Sequence, residues 1–168
     1  MTMSSPQPGD FGVARIGGLG GRLIRLGQWL NGSGFADYEH AFIVMDQGAI
    51  IEAQPGGART NHVSAYDPSK TVYSSVPLTD VQRVKVIAAA SGLLRTPYSW
   101  LDYVSIGLHR LGLRPAWLER YVASSGHMIC SQLVDYCYRQ AGVTLFADGR
   151  APGDVTPGDL YQLIEGSK

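Results

Sequence analysis

A cysteine opens the run Cys130-Ser131-Gln132-Leu133-Val134, where the apolar pattern predicts that a helix begins. The first turn of a helix presents unpaired N–H groups and a partial positive charge, and both favour thiolate over thiol. A thiolate attacks carbonyl carbon, so Cys130 is a candidate nucleophile. Such chemistry also needs an imidazole to take and return a proton, and a polar group to orient that imidazole. His40 is the best-placed base, because it opens an apolar strand directly after Tyr38-Glu39. Glu52 falls on the return strand, with the same parity as His40 about a turn at Asp46-Gln47-Gly48. The two side chains are therefore expected on one sheet face, close enough to hydrogen-bond. The result is a candidate Cys130–His40–Glu52 triad. A half-buried strand histidine with satisfied hydrogen bonds fits His40 equally well at this stage.

The other titratable residues are weaker candidates. His62 follows Arg59-Thr60-Asn61 and reads as a surface loop residue, while His109 lies beside Arg110 on a solvent-facing helix. His127, three residues before Cys130, ranks second as a base. Neither a Cys-x-x-Cys nor a His-x-x-x-His pair is present, so neither zinc nor another metal or cofactor is expected. Cys137 reads as a core residue between Tyr136 and Tyr138, and Asp135 as part of a solvated helix face. Seven positions apart on one helix, the two cysteines would sit about 10 Å from each other, too far for a disulfide.

The elements that must hold these groups follow from the pattern. Residues 11–16 read as a short strand, 40–45 and 49–53 as a hairpin ended by Pro55-Gly56-Gly57, and 70–76 as a further strand. Leucines at 19, 23, 26 and 30 have helical spacing. A long helix is predicted over 80–94 with Thr79 as its cap, and a loop at Thr96-Pro97-Tyr98-Ser99-Trp100. Further helices are expected over 101–111, 115–121, 130–141 with Gly142 as the stop, and 158–164. A small antiparallel sheet packed against helices makes an α+β domain, with the nucleophile at a helix N-terminus.

The 168 residues suit one domain spanning 1–168. Basic and acidic residues number 14 each, so no net charge argues for nucleic acid. The opening segment lacks a basic region followed by an apolar core, so no secretory signal is read, and no apolar run has the length of a transmembrane segment. Few cysteines and no expected disulfide suit a reducing, cytoplasmic setting.

Four segments together resemble the NlpC-type (NlpC/p60 superfamily) cell-wall amidases, papain-like cysteine hydrolases. Pro8-Gly9-Asp10-Phe11 resembles the family's strand entry, and the stretch from His40 to Ala53 resembles its His-strand-turn-strand segment. Thr96-Pro97-Tyr98-Ser99-Trp100 resembles its Tyr-x-Trp element, and Cys130-Ser131-Gln132-Leu133-Val134 its nucleophile helix, with Gln132 where the family usually has glycine. The histidine strands precede the cysteine helix, the reverse of the usual order. The chain therefore resembles the circularly permuted branch, which includes the lecithin:retinol acyltransferase group.

The resemblance implies a permuted papain-like fold, Cys130 as nucleophile, His40 as base, Glu52 as the orienting residue and Tyr98 as an oxyanion donor. It implies cleavage of an amide through a thioester, with a peptide or muropeptide as substrate. Acyl transfer on lipids is the alternative, and a non-catalytic module of a phage or secretion particle is a third. A wall-directed enzyme without a signal implies delivery by a phage or secretion system, or action on recycled peptides in the cytoplasm.

Overall fold

The computed structural model of the chain describes residues 5–16, 38–54, 57–94 and 130–166. The expected helices over 19–30, 101–111 and 115–121, and the Tyr98 loop, lie outside these described residues. Five strands are described: β1 (Phe11–Ala14), β2 (His40–Val44), β3 (Ala49–Gln54), β4 (Gly57–His62) and β5 (Thr71–Tyr73). They form one sheet in the order β4-β3-β2-β1-β5, every neighbouring pair antiparallel. Three helices accompany it: α1 (Asp80–Gly92), α2 (Cys130–Gln140) and α3 (Pro157–Gly166). The chain is thus α+β, with a small antiparallel sheet and three helices among the described residues.

Both sheet faces are covered, which explains why β2 reads as a continuous apolar run rather than an alternation. One face sends Phe11, Val13, Ala41, Ile43, Ile51 and Ala53 into a core shared with all three helices. The other face buries Ala14, Phe42, Val44 and Ile50 beneath Val63, Tyr66 and Tyr73. At roughly 1.5–3 kcal/mol for each large apolar side chain buried, the two layers fix the strand register. Gly12 lies directly under Phe42, and a Cβ there would stand 2.5 Å from two of its ring carbons.

The second hairpin strand ends at Gln54, just before Pro55-Gly56-Gly57 as expected, but the sheet continues into a strand that was not expected. Gly57 begins β4, which pairs with β3 from Ala49↔His62 to Gln54↔Gly57. Its sequence, Gly-Ala-Arg-Thr-Asn-His, has no apolar alternation because β4 is the last strand in the sheet order and its side chains are mostly polar. The last predicted strand is shorter than expected and pairs with β1.

Local chemistry sets the helix ends. Thr79 and Gln82 make a reciprocal capping box: the Gln82 N–H donates to Thr79 Oγ1 at 3.3 Å, and the Thr79 N–H to Gln82 Oε1 at 2.9 Å. Gly142, at φ 77, ends α2 in the left-handed region. Two long-range bonds bind the strand entry to the helices. Arg83 Nη1 donates to Asp10 Oδ1 at 2.8 Å, and the Tyr138 hydroxyl donates to the Gly9 carbonyl at 3.0 Å. Among the described residues, no helix is long and apolar enough to cross a membrane.

Candidate active site

His40 is the first residue of β2, and Glu52 on β3 stands opposite Phe42, two residues further along. Antiparallel pairing puts His40, Phe42 and Glu52 on one face. The His40 Nε2–H donates to Glu52 Oε2 at 2.8 Å. Both side chains are essentially closed to solvent, at 4% and 0% exposure, so neither can exchange its partner for water.

Glu52 is surrounded by further donors. Arg59, its direct partner on β4, and Asn61 lie on the same face. Arg59 Nε and Asn61 Nδ2 each donate to Oε1 at 3.0 Å, and Arg59 Nη2 also lies 3.0 Å from it. The Tyr66 hydroxyl donates to Oε2, the oxygen already bonded to His40. The Tyr66 ring stacks on His40 at 5.6 Å between centroids and on Phe42 at 5.2 Å. Gln54 adds a long contact, its Nε2 lying 3.4 Å from His40 Nε2.

Cys130 arrives from the other side. It is the first residue of α2, whose Leu133, Val134, Cys137 and Tyr138 pack in the core beneath the opposite sheet face. Its side chain hydrogen-bonds His40. With Nε2 engaged by Glu52, Nδ1 is the ring nitrogen left for the sulfur.

Burial disfavours the charged imidazole, but the hydrogen bonds and charges of Cys130 and Glu52 outweigh it and lift the His40 pKa from 6.5 to about 9. Burial pushes the Glu52 carboxyl the opposite way, yet its bonds from His40, Tyr66 and Asn61 hold it at about 2. At neutral pH the cluster therefore contains an imidazolium with an anionic carboxylate behind it and a sulfur in front. A thiolate is the form of sulfur that such an imidazolium favours. The second thiol is different: burial pushes Cys137 up to about 12, which suits a core residue.

Three of the four site residues expected from sequence, Cys130, His40 and Glu52, are thus joined in a line of hydrogen bonds. Tyr98 lies outside the described residues, as do His109 and His127. His62 is exposed. Asp135 departs from expectation: it is fully buried, and Arg139 Nε donates to it at 2.6 Å. Arg139 also donates to the Arg150 carbonyl, which ties this flank of α2 to the loop that follows it. Arg59, Asn61 and Tyr66 were missed. The available signal was the two-residue spacing of Arg59 and Asn61, which puts both on one face of a strand.

Among the described residues, no group of three or more His, Cys, Asp or Glu side chains is arranged to hold a metal ion. Each Glu52 oxygen already accepts hydrogen bonds from two side chains.

A sheet of this order, with a His–Glu pair on its central hairpin and a cysteine helix packed across it, defines an α+β fold with a buried polar cluster at one strand end. Its fold is similar to the crystal structure of the metalloprotein yiiX from Escherichia coli O157:H7, a DUF1105 protein. The TM-score is 0.57 at 20% sequence identity, covering 95% of this chain and 81% of that one. Identity at that level speaks for the fold alone. No family model and no curated protein matches the chain.

Proposed function

We propose that this chain is a cysteine hydrolase of the circularly permuted papain-like kind, cleaving an amide bond through a thioester at Cys130. The reading is carried by one observation, the Cys130–His40–Glu52 line of hydrogen bonds. The resemblance to NlpC-type amidases makes peptidoglycan stem peptides the substrate class.

In the first half-reaction the Cys130 thiolate attacks the scissile carbonyl carbon, and the carbonyl oxygen becomes an oxyanion. The backbone N–H of Cys130 and, by the resemblance, the Tyr98 hydroxyl stabilise that oxyanion. As the tetrahedral adduct collapses, the C–N bond breaks and the His40 imidazolium protonates the leaving amine. Neutral His40 then takes a proton from water, which attacks the thioester carbon and releases a carboxylic acid and the sulfur. Glu52 stays ionised throughout and holds the ring in one orientation.

The test is mass spectrometry of purified muropeptides incubated with the wild type and with Cys130→Ala. Cleavage by the wild type should fall by at least about 10³-fold in the variant. Cleavage that persists in Cys130→Ala would overturn the proposal. A thioester trapped from a lipid acyl donor but not from a muropeptide would reassign the chemistry to acyl transfer on lipids.

A further inference from the structure

The outer donors to Glu52 have a role that the three-residue line leaves unassigned. Four side chains converge on this one carboxylate, two on each oxygen. A carboxylate has about four acceptor positions, so Glu52 is saturated. Tyr66 contributes twice, because the residue whose hydroxyl bonds Oε2 also lays its ring over the imidazole. That ring is held in turn by Phe42, which Gly12 admits against the sheet.

We propose that Tyr66 is a positioning residue for the Cys130–His40 pair, acting through Glu52, with Arg59 and Asn61 completing the cradle. The hydroxyl and the β4 donors share the carboxylate's charge, so Glu52 orients His40 without drawing its proton across. The ring closes one face of the imidazole and leaves it a single orientation towards the sulfur. This inference rests on the Cys130 chemistry proposed above.

Among the described residues, the titratable groups against His40 are Cys130 from α2, Glu52 from β3 and Tyr66 from the turn after β4, and Arg59 from β4 stands behind Glu52. Each outer donor tempers the pull of the carboxylate on the imidazolium proton. Removing one concentrates negative charge on Glu52 and strengthens that pull. Tyr66→Phe deletes the hydroxyl and keeps the ring. Arg59→Gln changes a side chain that is 58% exposed, so it perturbs the fold little while removing the cation.

The test follows alkylation of Cys130 by iodoacetamide against pH, read by mass spectrometry, with Cys137 as the internal reference. The wild-type rate should step near 9, where His40 loses its proton. In Tyr66→Phe and in Arg59→Gln the step should move up by about half a unit to one unit. A step unmoved or lowered in Tyr66→Phe overturns the inference, since a ring that only fills space would leave the pH profile unchanged. Wild-type Cys130 labelled no faster than Cys137 would instead overturn the nucleophile itself, and the inference with it.

Discussion

Replacing Glu52 by Gln tests the buried carboxylate most directly. The carboxyl titrates at about 2 in the folded chain against 4.5 ordinarily, so the folded state holds its proton less tightly than the unfolded state does. Its contribution to stability is therefore complete above 4.5 and is lost as pH falls towards 2. At about 1.4 kcal/mol per pH unit, that interval corresponds to about 3 kcal/mol. Breaking a buried pair by removing one charge costs a similar amount, about 3–5 kcal/mol. Gln offers one acceptor oxygen where the carboxylate offered two, so His40, Tyr66, Arg59 and Asn61 cannot all be satisfied. Urea denaturation should find Glu52→Gln less stable than the wild type by about 3 kcal/mol at about pH 6, and by only about 1 kcal/mol at about pH 3. The narrowing arises because the wild type loses about 2 kcal/mol on acidification that the variant never had. A difference that stays constant between the two conditions would refute the reasoning, because it would mean that Glu52 is not a partnered anion.

Other substitutions probe the scaffold. Gly12→Ala should destabilise by about 1–3 kcal/mol, because its Cβ forces the Phe42 ring towards Tyr66; thermal denaturation reads this, and a slower Cys130 alkylation should accompany it. Thr79→Ala removes half of the α1 capping box and should cost about 1 kcal/mol in urea denaturation while leaving Cys130 alkylation unchanged. His40→Ala should lower the rate of muropeptide cleavage by about 10²–10⁴-fold, measured in single-turnover assays at neutral pH.

What could be read from the residues was whatever depends on local periodicity. The parity of His40 and Glu52 about Asp46-Gln47-Gly48 needs only the two-residue repeat of a strand, and the structure brings these two side chains to 2.8 Å. The apolar stripe of α2 and its stop at Gly142 follow from helical spacing and a left-handed glycine. The outer cradle was hidden for the same reason. Arg59 and Asn61 lie on a strand of polar side chains that offers no alternation, and a Pro-Gly-Gly sequence before it reads as an end. Tyr66 lies beyond that strand, where only tertiary packing on Phe42 brings it over His40. The burial of Asp135 was equally non-local: its partner Arg139 is one turn away, but nothing in the pattern shows that this flank of α2 is covered.

The bond from the Tyr138 hydroxyl to the Gly9 carbonyl fastens the helix carrying Cys130 to the entry of the first strand. A ribosome delivers that strand and the hairpin bearing His40 and Glu52 well before it delivers α2. The imidazole and its carboxylate thus emerge without a sulfur to face, and the sulfur emerges before anything holds it against them. Local structure alone joins neither half to the other; the joining waits on contacts between distant parts of the chain, which form late and carry the largest loop-closure cost. On the function proposed above, a nascent or partly unfolded chain would display an ordinary cysteine until the helix docks.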